Sequence, residues 1–181
     1  MPKNHEKFHS SNGHRLILVV DDEAINREML GLILGDTYEV VYAENGKQAI
    51  EIIKQRRDMI SLILLDLLMP VMTGTEVLRW LRGEPEYSRI PVIVMTSEQS
   101  AEVESLRLGA IDFIPKPYPQ QEVIQARVLR TIELSEDRDI IQSTERDPLT
   151  GLYNREYFYR YAEQYDVHHK GQDMDAIVID V

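Results

Sequence analysis

Ile60-Ser61-Leu62-Ile63-Leu64-Leu65 is a short run, apolar at every position but one, that ends on Asp66. Such a run, bounded and too short for a helix, reads as a strand buried on both faces, the situation of a central strand in a parallel sheet. Val92-Ile93-Val94-Met95 repeats the pattern: Pro91 opens it at the first strand position and Thr96 and Ser97 follow it. These two strands should therefore be central. Working outward, Leu16–Val20, Tyr38–Tyr42 and Ile111–Ile114 read as three further strands. Between them, apolar residues recur at helical spacing: Ile25, Met29 and Leu32; Ala49 and Ile53; Val77 and Leu81; Val103 and Leu106. Each stripe is expected to face the core. Gly35 and Gly109 stand where helices should end. Strand and helix alternate from Arg15 to about Ile114, which predicts an α/β fold with a parallel sheet covered by helices.

A fifth helix is expected from about Gln120, with apolar Val123, Ile124, Val128 and Ile132, and it outruns the domain until Asp147 and Pro148 stop it. The stretch 131–146 has too few apolar residues to bury itself alone. It is either a solvated connector or one half of a weak coiled coil. Beyond it lies a second pattern: a turn, a helix with Tyr157, Phe158, Tyr161 and Tyr165, a polar loop, and a strand from Ala176 to Ile179. A piece this short falls below the roughly 40 residues that fold without disulfides, metals or oligomerisation, so it reads as the opening of a domain.

The bulk composition sets limits on function. Of the 181 residues 43% are hydrophobic and 28% charged, a globular composition. No apolar run approaches the roughly 20 residues of a membrane span. The chain has no cysteine, and residues 1–14 lack the apolar stretch of a secretory signal, so a cytoplasmic location is expected. His5, His9 and His14 are unevenly spaced in that polar segment, which reads as a disordered leader rather than a metal site. A net charge of -11 argues against general attraction to nucleic acid or an anionic membrane and favours cations and basic surfaces as partners.

Ligands of an open parallel sheet collect beyond the carboxyl ends of its strands. Asp21 and Asp22 follow the first strand, Asp66 the third, Thr96 and Ser97 the fourth, and Lys116 the fifth. Singly, each has an ordinary explanation as a helix cap or a solvated charge. Together, three carboxylates on one rim repel one another unless a cation sits among them. Mg²⁺ suits them, since it prefers oxygen ligands and joins one or two carboxylates to a phosphate. With Asp22 and Asp66 on the metal, Lys116 on the other side of a phosphoryl group and Thr96 donating to it, Asp66 has the position and charge compensation of a nucleophile.

These residues, in this order, resemble the receiver domain of bacterial response regulators over about Arg15 to Arg130. The likeness rests on Val19-Val20-Asp21-Asp22-Glu23, on Leu65-Asp66-Leu67-Leu68-Met69-Pro70 with Gly74 beyond, on Met95-Thr96-Ser97, and on Gly109 through Pro117. The resemblance implies a doubly wound five-stranded sheet of order 2-1-3-4-5 with five helices. It implies that Asp66 accepts a phosphoryl group from a histidine kinase or phosphotransfer protein, that Asp22 and Asp66 bind Mg²⁺ directly, that Asp21 acts through water, and that the Leu68 carbonyl is a further ligand. Thr96 and Lys116 would hold the phosphoryl group, the bond before Pro117 would be cis, and Phe113 would be the switch aromatic. The implied output is a homodimer through the fourth helix, fifth strand and fifth helix and the connector. Two positions depart from the pattern: Ser97 stands where a smaller apolar residue is frequent, and Leu68 brings no polar side chain.

Asp147-Pro148-Leu149-Thr150-Gly151-Leu152-Tyr153-Asn154-Arg155 resembles the opening of GGDEF domains, the diguanylate cyclases that make cyclic di-GMP. Residues 147–181 would then be an incomplete amino-terminal piece of such a domain, with Asp180 and the Val181 carbonyl as a partial metal site. This chain would not itself be a cyclase. Two rivals stand beside this reading. One is a receiver-like module that pairs without phosphate; the other is a haloacid-dehalogenase-type phosphatase, which usually has a second aspartate where this chain has Leu68.

Overall fold

Alternate residues of β1 (Leu16–Val20) belong to opposite cores: Leu16, Leu18 and Val20 lie in one buried cluster, Ile17 and Val19 in the other. Successive side chains of a strand point to opposite faces, so a strand that is apolar throughout feeds two helical layers at once. β3 (Ile60–Asp66) and β4 (Val92–Thr96) do the same. β2 (Glu39–Ala43) and β5 (Asp112–Pro115) are the edges of an all-parallel sheet of order β2-β1-β3-β4-β5. The computed structural model describes residues 15–97, 99–145, 150–154 and 157–159. The leader at 1–14, the strand expected at Ala176–Ile179, and Asp180 with Val181 lie outside the described residues.

One face carries α2 (Gly46–Arg56) and α3 (Gly74–Gly83), which bury Ala49, Ile53, Val77 and Leu81 as their spacing predicts, with Leu78 buried beside them. The other face is covered by α1 (Ala24–Leu34), through Leu30 and Leu34, and by α5 (Gln121–Glu145), through Ile124, Val128 and Ile132. α4 (Gln99–Arg107) runs between β4 and β5. In α5, Thr131 and Ile132 are buried, and the residues from Glu133 to Arg138 are exposed apart from half-buried Ser135.

Two expected stripes do not face the core. Ile25 and Leu32 of α1 are 73% and 82% exposed, and Met29 is half-buried. The helix is rotated because Asn26 and Arg27 bond to Asp21, which puts positions 26, 27, 30 and 34 toward the sheet. In α4, Val103 and Leu106 are exposed, whereas Ser105 is buried and Ala101, like Leu108 just beyond the helix, is half-buried against the core. Small residues at i and i+4 let that helix lie close to the sheet, and the longer side chains turn outward.

Arg82, near the end of α3, donates to the carbonyls of Ser88 (2.6 Å), Ile90 (3.2 Å) and Gly109 (2.9 Å). Those carbonyls belong to the approaches to β4 and β5, so one planar fork ties three segments at the foot of the sheet. Gly109 has φ +100°, a backbone conformation open to glycine at little cost.

The chain divides into two compact units, one up to Ser135 and one from Glu136. In the second unit Gly151 has φ +68°, the Asn154 side chain accepts from Tyr157 N at 2.9 Å, and residues 157–159 are helical. Tyr153 and Tyr157 stack with ring centroids 4.4 Å apart.

Candidate functional site

The ladder carries the functional side chains to one rim. β3 continues through Asp66, paired with Met95, and β4 continues through Thr96, paired with Pro115. Each of these strands is one residue longer than its apolar run, because the hydrogen-bond register outlasts the hydrophobic pattern. Lys116 follows β5, and its N–H donates to the Thr96 carbonyl at 2.8 Å. The Lys116–Pro117 bond is cis. Gly74 is required where it is, since a Cβ there would lie 2.0 Å from the Asp66 carbonyl oxygen.

Lys116 Nζ donates to Asp66 Oδ2 at 2.7 Å and to Asp21 Oδ2 at 2.8 Å. Asp21 and Asp66 are buried and Asp22 is exposed, and the three offer carboxylate oxygens within 4.8 Å of one another. Asp21 is heavily bonded: it accepts from Glu23 N (3.0 Å), from the Asn26 amide (3.1 and 3.2 Å) and from the Tyr118 hydroxyl (3.3 Å). Asp66 has one further donor, Leu68 N at 3.2 Å on Oδ1.

Burial raises the Asp66 carboxyl above its ordinary range, and the hydrogen bond and charge of Lys116 only partly offset this. For Lys116 burial acts to lower the value, but hydrogen bonds and charge from Asp21 and Asp66 outweigh it and the ammonium is held above its ordinary value. The Tyr118 hydroxyl is pushed up by burial and by the adjacent carboxylates, so it stays protonated as a donor. Among the described residues, Lys116 is the one cation bonded to any of these three carboxylates, since Arg27 donates to backbone carbonyls and pairs with Glu44, so an excess of negative charge faces an all-oxygen donor set. That chemistry fits a hard divalent cation such as Mg²⁺.

A family model of the response regulator receiver domain matches residues 17–128. The chain belongs to this family. Its receiver is 38% identical over 113 residues to the phosphate regulon transcriptional regulatory protein PhoB of Pseudomonas aeruginosa, covering 61% of this chain and 48% of that one. It is 35% identical over 127 residues to a Vibrio cholerae protein named "Probable cyclic di-GMP phosphodiesterase", covering 69% and 28%. The chain thus spans less than half the length of either relative. Among solved structures, the signal receiver domain of a Syntrophus aciditrophicus signal transduction histidine kinase is 38% identical with a TM-score of 0.59, over 65% of this chain and 89% of that one. The receiver domain of sensor histidine kinase PA1611 from Pseudomonas aeruginosa, solved with magnesium in its active-site cleft, is 27% identical with a TM-score of 0.60, over 66% and 98%.

Asp21, Asp22, Asp66 and Lys116 are brought together directly, with Thr96 buried at the same strand ends. Phe113 is half-buried on β5, and its ring lies 5.9 Å from Arg127 Cζ; Arg127 in turn pairs with Asp112 at 2.7 Å. Asp180 and Val181 are outside the described residues.

Three residues absent from the sequence reading also belong to the pocket: Asn26, Arg27 and Tyr118. Asn26 and Arg27 sit one helical turn beyond Asp22, where a side chain reaches back to the strand end. That spacing was the available signal. Even β2 contributes indirectly, because Glu44 just beyond it pairs with Arg27 at 3.2 Å. Among the described residues, no helix is long and apolar enough to cross a membrane.

Proposed function

We propose that Asp66 is the phosphoacceptor of this receiver and that its phosphorylation controls pairing of two chains, which in turn governs a diguanylate cyclase output. The observation that carries the first part is Lys116 Nζ within hydrogen-bond distance of both Asp66 and Asp21, beside three convergent carboxylates. Asp22 and Asp66 would hold Mg²⁺ directly, Asp21 through water, with the Leu68 carbonyl as a further ligand. When bound, the ion neutralises phosphoryl oxygens and so lowers the cost of bringing a dianion to a carboxylate.

The remaining chemistry belongs to the chain's own side chains. An Asp66 oxygen attacks phosphorus, a P–O bond forms as the donor's P–N bond to histidine breaks, and the imidazole departs neutral, keeping the proton already on its other ring nitrogen. Lys116 compensates the charge of the acyl phosphate, and the Thr96 hydroxyl donates to another phosphoryl oxygen. Thr96 moving toward the phosphoryl group would vacate space for Phe113, altering the α4-β5-α5 surface through which two chains pair. Such a switch needs about 5.5 kcal/mol of differential binding to go from 1:99 to 99:1, a scale that charge-assisted contacts to a dianion reach.

The cyclase output rests on Asp147 through Arg155. The Vibrio cholerae relative that aligns with this receiver is named a probable cyclic di-GMP phosphodiesterase, which supports an output in cyclic di-GMP turnover, while the cyclase direction rests on residues 147–155 alone. Acetyl phosphate with Mg²⁺ should add one phosphoryl group, seen by intact mass, to the wild-type chain and none to Asp66→Asn. Beryllofluoride should shift wild type, and not Asp66→Asn, to a dimer on size exclusion. A phosphorylated Asp66→Asn protein would refute the assignment. Cyclic di-GMP synthesis from GTP by the full-length protein, faster with beryllofluoride, tests the output.

A further inference from the structure

Consecutive residues of an extended strand point their side chains to opposite faces. Yet Asp21 and Asp22 are neighbours, and both offer an oxygen to one cluster with Asp66. The backbone must therefore leave the extended form between them. β1 ends at Val20 and Asp22 lies in a bend. The carbonyl oxygens of both aspartates accept from the same nitrogen, Nη1 of Arg27, at 2.7 and 3.0 Å. In an extended strand successive carbonyls alternate in direction, so two that converge on one donor mark the departure.

We propose that Arg27 is a positioning residue of the metal site: it holds the Asp21–Asp22 backbone in the turn that lets adjacent carboxylates serve one ion. This rests on the reading that Asp21, Asp22 and Asp66 bind Mg²⁺. The guanidinium is well placed for the task. Its side chain is only 13% exposed, and Nη2 reaches Glu44 Oε1 at 3.2 Å, which anchors the outer edge of the fork. A guanidinium donates charge-assisted bonds from a rigid planar fork, which suits it to holding two carbonyls at once.

The proposal has a sign that separates it from a purely electrostatic role. A cation beside a divalent site repels the ion, so an uninvolved Arg27 would weaken Mg²⁺ binding and its removal would tighten it. A positioning Arg27 predicts the reverse. Loss of a group that orients metal ligands typically weakens affinity about 10- to 100-fold.

The test is Mg²⁺ titration by calorimetry of the wild-type chain, Arg27→Met and Arg27→Lys, with melting followed separately in EDTA. Arg27→Met should bind Mg²⁺ at least about tenfold more weakly. Arg27→Lys, which keeps the charge but lacks the planar fork, should fall between. Unchanged or tighter binding by folded Arg27→Met overturns the proposal, even if its melting temperature drops. Should Arg27→Met fail to fold, Arg27→Lys decides, and wild-type affinity there overturns it. A wild-type chain that binds no Mg²⁺ overturns the reading of the site itself, and the role of Arg27 with it.

Discussion

Lys116 Nζ stands 2.7 Å from Asp66 Oδ2, bridging fifty positions of sequence, and the same ammonium lies 2.8 Å from Asp21. One cation thus serves two buried carboxylates. Lys116→Met leaves both without it, and removing one partner of a buried ion pair costs about 3 kcal/mol. Urea unfolding without Mg²⁺ should show a loss of that order, partly recovered on adding Mg²⁺. A stability equal to wild type in EDTA would count against the pairing.

Asp66 gives a pH dependence with a definite sign. Its folded-state carboxyl is raised by burial, so near its titration the native state binds more protons than the unfolded chain, and stability falls as pH rises through that window. Asp66→Asn removes this contribution while Lys116 keeps Asp21. Without Mg²⁺ the variant should melt higher than wild type at neutral pH, and the gap should close as pH falls below the ordinary carboxylate range. Lys116, raised above its ordinary value, stays charged throughout and does not alter the trend. A gap that widens on acidification would contradict the assignment.

Gly74→Ala places a methyl group against main chain, because the Asp66 carbonyl oxygen would be 2.0 Å away. The backbone on either side must shift, a cost of about 1–3 kcal/mol for overpacking. Both the urea midpoint and the rate of acetyl phosphate incorporation should drop. A variant within about 0.5 kcal/mol of wild type, the usual range of neutral surface changes, would show that the contact is soft.

Val71 has φ +71° and is 81% exposed. A β-branched residue is strained there, and Met72 N closes a three-residue turn on Pro70 O at 2.8 Å. Val71→Gly relieves about 1–3 kcal/mol of strain and loses roughly 1 kcal/mol to unfolded-state entropy. A net gain of about 1 kcal/mol is expected in equilibrium unfolding. A net loss would mean that the turn is not strained.

The sheet was legible because β3 and β4 are buried on both faces and leave apolar runs that nothing else explains. The acidic rim was legible for a related reason: Asp66, Thr96 and Lys116 stand where those runs stop. The rotation of α1 was not. Ile25, Met29 and Leu32 form as good a stripe as Leu30 and Leu34, and the choice is made by polar contacts of Asn26 and Arg27 with Asp21. Tyr118 was missed because its hydroxyl acquires a role only from the fold, which brings it 3.3 Å from an aspartate 97 positions earlier. For α4, hydrophobicity misleads because the residues on its inner side, half-buried Ala101 and buried Ser105, are small.

Arg82 fastens the loops entering β4 and β5 at the end of the sheet opposite Thr96 and Lys116. Strands clamped at the base behave like reeds in a fixed mount. On the proposed switch, displacement driven by phosphate at the opposite ends would be expressed where it arises, in the neighbouring surface, instead of leaking away as a slide of whole strands.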